Sequence, residues 1–188
     1  MRQSGDRINR EYLLQGSPTN STFAETFFRA LCGTDNAISA TGIAHATAVP
    51  LNAGDVVSNI TFITGGTAAS VPTAGFVALY SSAATPALLG QSADFATTAR
   101  AANTAFTVPL VTAVTITADG VYYVSIAFAA TTVPTLRGIT TGNAAVAGAI
   151  GLSAKVLAQS HGSGLTGTAP ATIATPTTVA TPCYFAVT

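Results

Sequence analysis

Short runs in which apolar and polar residues alternate dominate the chain from about residue 55 onward. The run DVVSNITFIT at residues 55–64 is rich in β-branched residues. In the run GFVALYS at residues 75–81, Phe76, Ala78 and Tyr80 alternate with Val77 and Leu79, so each set faces one side of a strand. Such short, alternating runs bounded by turn residues are typical of β-strands. Further strands are predicted at residues 87–91, 105–110, 113–117, 121–130, 136–140, 153–158 and 182–188.

The spacing of these runs predicts the fold class. Asp119-Gly120 separates two β-rich runs, which is the strongest hairpin signal in the chain. Short strands with turn signals every ~8–12 residues indicate an all-β sandwich or barrel rather than alternating strands and helices. Residues 140–182, rich in Gly, Ala, Thr and Ser, interrupt this pattern and are interpreted as a functional loop or a subunit-contacting segment.

The first part of the chain has a different pattern. Thr22 and Glu25 have the spacing of a helix capping box, and Phe23 and Phe27 follow at a helical interval. We therefore predict a short helix over residues 23–32. A helix this short is marginal alone, so its aromatic side chains are expected either to pack on the rest of the chain or to dock on a partner.

Charge divides the chain at a similar place. Only 7% of the residues are charged and the net charge is zero, although 48% are hydrophobic. More than half of the charged residues lie in the first 35 positions. We predict an N-terminal docking arm with a short helix at residues 1–45 and a β-sandwich body at residues 46–188.

The low charge argues against nucleic acid as a partner and favours association with copies of the same chain. Nucleic-acid binding depends on Lys and Arg that neutralise phosphates, and this chain has no basic stripe. A body covered by Thr, Ser, Asn, Gly and Ala is suited to packing against copies of itself, because few charges would lose their hydration. We expect a trypsin-resistant homo-oligomer.

No arrangement of residues predicts catalysis, a metal or a cofactor. His45 and His161 have no nucleophile and orienting acid at suitable spacing, so we interpret the first as a strand-edge residue and the second as a loop residue. Asp55, Asp94 and Asp119 stand alone in turns and are interpreted as turn caps. A glycan-cleaving enzyme that uses Asp94 or Asp119 is the least favoured hypothesis.

Other sequence features bear on location and redox state. Cys32 and Cys183 are far apart in sequence and are expected to be buried free thiols. The polar N-terminus lacks the apolar region of a signal peptide, and no run approaches the ~20 apolar residues of a membrane span. We expect assembly in the cytoplasm and no membrane partner.

Several segments of the body resemble one class of known proteins. The segments at residues 48–62, 76–80, 88–94, 117–126 and 134–138 are similar to small structural proteins of tailed phages of actinobacteria. The resemblance implies an antiparallel, jelly-roll-like β-sandwich on a virion, as in capsid-decoration proteins, head fibres or tail fibres. It implies a homotrimer and no catalytic residue, and it does not extend to the arm.

Two functions follow as expectations. The first is a capsid-decoration protein whose arm binds the major capsid protein through basic and aromatic side chains: Arg2, Arg7, Arg10, Tyr12, Phe23, Phe27, Phe28 and Arg29. The alternative is a tail-fibre or tail-tip module that docks on a tail protein and contacts host surface glycans. In that case Tyr80, Tyr122 or Tyr123 would provide the glycan contacts if exposed.

Overall fold

The computed structural model describes residues 23–38, 40–95, 100–149 and 155–188. These residues form an all-β protein, as the alternating runs predict. The strands are β1 (Ala24–Glu25), β2 (Thr34–Ala37), β3 (Ala44–Leu51), β4 (Val56–Ile63), β5 (Ser70–Tyr80), β6 (Leu88–Gln91), β7 (Ala105–Thr115), β8 (Gly120–Thr132), β9 (Thr135–Gly138), β10 (Ala158–His161), β11 (Thr177–Thr178) and β12 (Phe185–Val187). One α-helical turn, α1 (Ala144–Ala147), and one 3-10 turn, Arg29–Leu31, complete the regular structure of the described residues.

The strands form a sandwich of two main antiparallel sheets. One sheet has four strands in the order β1-β12-β4-β7, and the other has six in the order β11-β10-β3-β8-β5-β6. A short third sheet pairs β2 with β9. The β-sandwich prediction is confirmed, whereas the jelly-roll connectivity stays a prediction.

Large apolar side chains fill the space between the two main sheets. Phe62 on β4 is fully buried and contacts the rings of Phe95, Phe106 and Phe128, so aromatic contacts connect the two layers. Phe185 on β12 is buried in the same cluster. Burial of this many large side chains is the main favourable term in the stability of the body.

The other face of the six-stranded sheet is also covered. It presents mostly small side chains, including Ala44, Ala46 and Ala78, together with Tyr80 and Tyr123. Residues 162–176 lie across it, where Ala169 and Ile173 are buried against the sheet. Backbone bonds hold this cover in place: the Leu165 N–H donates to Gly42 O, the Leu88 N–H to Ala171 O and the Ile173 N–H to Pro86 O.

Most predicted strands are present. The two strands predicted at residues 105–110 and 113–117 are one strand, β7, which ends at Thr115. The predicted strand at residues 153–158 begins outside the described residues, and the observed strand is β10. Strand β3 was not predicted, because its sequence AHATAVPL is rich in alanine, contains a proline and has few of the β-branched and aromatic residues that mark β5 and β8.

The predicted hairpin at Asp119-Gly120 is wrong. Strand β7 pairs with β4 in one sheet, whereas β8 pairs with β3 and β5 in the other. The turn therefore carries the chain from one layer to the other. Its contacts are long-range, since Asp119 Oδ1 accepts a hydrogen bond from the Ala53 N–H at 2.7 Å.

The predicted helix over residues 23–32 is also wrong in type and extent. Ala24 and Glu25 are extended and pair with Val187 and Ala186 of β12, and only Arg29–Leu31 forms a single 3-10 turn. Pairing with an existing sheet satisfies the backbone and buries Ala24, which outweighs the weak helical preference of a short segment.

Candidate functional site

The end of the predicted arm is attached to the body by backbone bonds. Besides the β1–β12 pairing, the Thr26 N–H donates to Phe185 O at 2.9 Å, and the Phe185 N–H donates to Thr26 Oγ1 at 3.0 Å. Strand β2 then pairs with β9. Residues 23–37 are therefore connected to the body, and the domain boundary at residue 45 stays a prediction.

A buried carboxylate strengthens this attachment. Glu25 is on β1, and its Oε1 accepts a hydrogen bond from the Tyr184 hydroxyl at 2.5 Å. Burial, and next the Glu25 carboxylate, raise the pKa of Tyr184, so the phenol stays protonated. Arg29 lies 3.6 Å from the same oxygen, but its side chain is mostly exposed, so this ion pair adds little stability.

The predicted docking residues have different environments. Phe27 is half-buried, with its ring edge-to-face on Tyr184 at 6.0 Å between centroids, and Phe23 is half-buried as well. Phe28 and Arg29 are exposed. Arg2, Arg7, Arg10 and Tyr12 lie outside the described residues.

Leu31 is a further exposed apolar residue of this segment, although it was not predicted as a docking residue. It is 58% exposed at the end of the 3-10 turn, and Phe28, immediately before that turn, is 41% exposed. Its four-residue spacing from Phe27 was the available signal, because in the predicted helix it shares the face that was expected either to pack on the body or to dock on a partner. We call Phe28 and Leu31 the apolar pair of the arm.

The two cysteines are free thiols. Cys183 is buried as expected, whereas Cys32 is only half-buried. Burial, with a contribution from Glu25, raises the pKa of Cys32 to about 11, so its reactive thiolate form is scarce at neutral pH.

The two histidines are not edge or loop residues. His45 lies on β3, an interior strand, and His161 lies on β10; both are buried. Burial lowers the pKa of each to about 4, and the charge of His45 adds to the shift at His161. Neither ring nitrogen of His45 has a hydrogen-bond partner within the described part of the chain.

Ser125 and His161 form a pair that superficially resembles a catalytic dyad. Ser125 Oγ lies 3.0 Å from His161 Nε2, but Ser125 is completely buried and His161 is 3% exposed. His161 Nδ1 has no partner among the described residues, so no carboxylate orients the ring. The pair therefore lacks the orienting carboxylate of a catalytic triad among the described residues.

The tyrosines expected to contact glycans are buried. Tyr80, Tyr122 and Tyr123 are at most 5% exposed. Their hydroxyls donate to the backbone carbonyls of Pro170, Ala118 and Val156 respectively. The adjacent Tyr122 and Tyr123 face opposite sides of the sheet, as consecutive strand residues do.

Two clefts lie where residues 162–176 incompletely cover the six-stranded sheet. The larger, of about 620 Å³, has Tyr123 and Gln159 among its lining residues, and the smaller, of about 380 Å³, includes His161. Ala174 and Thr175 belong to both. Thr175 has a φ of 45°, a left-handed conformation that is rare for a β-branched residue.

Neither a metal site nor a membrane-spanning helix is found among the described residues. They contain no group of three or more His, Cys, Asp or Glu that could hold a metal ion. Asp55 accepts the nearby Asn52 amide, whereas Asp94 and Asp119 accept the amides of Gly75 and Ala53, so these two bonds join segments distant in sequence rather than capping a turn. No helix in the described ranges is long and apolar enough to cross a bilayer.

The chain was also compared with known proteins. No known family model matches it, and no curated protein is significantly similar to it.

Proposed function

We propose that the chain is a non-enzymatic structural protein of a phage virion, assembled in the host cytoplasm and attached to the capsid exterior through its N-terminal arm. The observation that carries the proposal is the apolar pair of the arm. Phe28 and Leu31 are exposed on a short turn whose preceding residues are held on the body by β1 and by the Phe27–Tyr184 contact. Fixed, exposed apolar side chains are suited to anchoring a protein in a partner's pockets.

The charges of the arm fit the same role. Arg2, Arg7 and Arg10 precede the apolar pair in sequence, and Arg29 is exposed beside it. Arginine pairs well with carboxylates at interfaces because its planar guanidinium donates two parallel hydrogen bonds. The partner is therefore a capsid surface that combines acidic groups with apolar pockets.

Co-sedimentation tests this attachment. Fluorescently labelled protein would be mixed with tail-less heads of a related phage that lack it, and pelleted binding measured. Replacing Phe28 and Leu31 by Ser should weaken binding by about tenfold or more, because buried aromatic anchors dominate interface energies. The matched control replaces Val146 and Leu157, which are exposed on the body to 53% and 44%, by Ser. Equal binding by both double variants would contradict the proposal.

The body is proposed to assemble as a homo-oligomer, with a trimer favoured. The body has few charged residues, and two of its basic side chains, Arg100 and Lys155, already contact other groups of the body. Arg100 is 5% exposed and lies over the rings of Phe95 and Phe106, and the Lys155 ammonium donates to the Ser82 and Ala83 carbonyls. A monomeric mass at micromolar concentration in sedimentation equilibrium would contradict the oligomer.

A second candidate is a tail-fibre or tail-tip module that contacts host surface glycans. The observation that favours it is the pair of clefts on the outer face of the six-stranded sheet. Binding of labelled protein to host cells but not to heads would favour this function over capsid decoration.

A further inference from the structure

The segment that covers the six-stranded sheet begins directly after a buried histidine. Strand β10 ends at His161, which is 3% exposed and pairs with Ala44 of the outer face, and residues 162–176 follow it across that face. The His161 ring lies edge-to-face on Tyr80, with 5.5 Å between centroids, and the Tyr80 hydroxyl donates to Pro170 O at 2.9 Å. His161 is therefore part of the contacts that hold the covering segment on the sheet.

Only one of the two ring nitrogens of His161 has a partner in the described part of the chain. Nε2 lies 3.0 Å from Ser125 Oγ, whereas Nδ1 is buried and has no hydrogen-bond partner. A charged imidazole ring carries an N–H on both nitrogens, so protonation would leave a buried cation with an unpaired donor. Such a group is far more costly to bury than the neutral ring, and the closed structure therefore disfavours the charged form.

The neighbouring strands provide no negative charge to compensate a charged His161. Their titratable groups are Tyr80 on β5, Tyr123 on β8 and His45 on β3, and β10 and β11 carry none besides His161 itself. Burial raises the pKa of both tyrosines, so their hydroxyls stay uncharged. Burial, followed by the charge of His45, lowers the pKa of His161 to about 4.

The covering segment carries no compensating charge and buries little of itself. Residues 162–176 contain no Asp, Glu, Lys or Arg. The Asp94 carboxylate lies against the segment at Gly167, and it already accepts a backbone amide. Apart from Ala169 and Ile173, the residues of the segment are exposed or half-buried. A segment with so little buried apolar surface separates from the protein at a lower cost in free energy than two packed sheets do.

The smaller cleft shows how a charged His161 would reach water. Its lining of about 380 Å³ includes His161 together with Pro170 and Thr172 of the covering segment, so displacement of that segment opens the cleft beside the ring. Both N–H groups can then bind water. We propose that residues 162–176 form an acid-released lid, which leaves the outer face when His161 takes up a proton from solvent while the two packed sheets stay folded. The open state exposes Tyr80, whose bond to Pro170 O is lost.

Amide hydrogen exchange of the full-length protein at pH 7 and at about pH 5 tests the lid, with each rate divided by the intrinsic chemical rate at that pH. The lower pH lies above the ordinary pKa of carboxyl groups, so it separates histidine from Asp94. Exchange in residues 162–176 should rise about twentyfold, the ratio expected for a ring whose pKa is 6.5 in water and about 4 when buried. Strands β4 and β12 of the opposite sheet should keep their rates. Unchanged exchange in residues 162–176, or an equal rise in β4 and β12, would overturn the proposal.

Three variants assign the effect to one residue. His161→Gln keeps a hydrogen-bonding group beside Ser125 but cannot take up a proton at pH 5, so its exchange in residues 162–176 should be the same at both pH values. His45→Gln and Asp94→Asn are the matched controls and should retain the rise. A rise retained by His161→Gln, or lost in Asp94→Asn, would overturn the proposal. A histidine NMR titration of the wild type gives a readout that needs no folded variant: a His161 ring that titrates near its ordinary 6.5 without faster exchange of the lid would overturn it as well.

Discussion

The two faces of the six-stranded sheet are buried in different ways. The inner face presents large side chains such as Leu79, Ile126 and Phe128 to the opposite sheet. The outer face presents mostly alanines, with Phe76, Tyr80 and Tyr123 among them, to the irregular segment at residues 162–176. Large side chains fill a layer about 10 Å thick between sheets, whereas small ones let a loop lie directly against the strands.

Because of this difference, the inner face mainly contributes to folding stability, whereas the candidate clefts lie on the outer face. The inner face is continuous and holds most of the large buried side chains. The outer cover is attached at intervals by hydrogen bonds, such as that of the Tyr80 hydroxyl to Pro170 O, and leaves clefts between them. We therefore expect substitutions on the inner face to act on folding and those on the outer face to act on the cover and its clefts.

The largest effect is expected for Phe62→Ala on the inner side of the sandwich. Phe62 is completely buried and contacts three other aromatic rings. The cavity should lower the free energy of unfolding by about 4 kcal/mol, measured by urea denaturation. A loss below about 1 kcal/mol would mean that the two sheets do not form one cooperative core.

Acid should destabilise both faces through their histidines. His45 on the inner face and His161 on the outer face have pKa values of about 4 when folded, below the ordinary 6.5. As the pH falls, the histidines of the unfolded chain become protonated before those of the folded protein. The stability that the two neutral rings contribute is therefore fully present above about pH 6.5 and is lost as the pH falls toward 4. Each histidine would contribute at most about 3 kcal/mol to this loss.

The variant His45→Leu isolates the inner-face contribution. Its free energy of unfolding, followed between pH 7 and 4, should fall about half as much as that of the wild type. An unchanged pH dependence would show that His45 is not buried as a neutral ring.

A smaller effect is expected for Ala46→Leu on the outer face. Ala46 is fully buried beneath the covering segment, so a larger side chain must displace residues of that cover. We expect a loss of about 2 kcal/mol in the free energy of unfolding, together with faster amide hydrogen exchange in residues 162–176. Ala113→Leu, at an exposed position of β7, is the control and should change neither quantity. Slow exchange in an otherwise stable Ala46→Leu variant would contradict close packing of the cover.

The fold class could be predicted from alternation alone, since β4, β5 and β8 carry strong strand patterns. The candidate cleft could not be predicted. The residues that line the larger cleft come from separate segments near residues 83–86, 123, 155–159 and 173–176, and no sequence motif joins them. The tyrosines were more conspicuous in the sequence, but their rings are buried and their hydroxyls are bonded to the backbone.

By itself, the sequence determined that the protein is built from β-strands and that its body is nearly uncharged, because both are local properties of composition and alternation. Only the tertiary structure decided which strands pair. Asp119-Gly120 has the local chemistry of a hairpin, yet the chain crosses between sheets there because β7 and β8 find better partners far away in sequence. Strand β3, rich in alanine and interrupted by a proline, likewise has too few β-branched and aromatic residues to reveal it. Pairing and burial depend on distant residues that meet only when the chain folds.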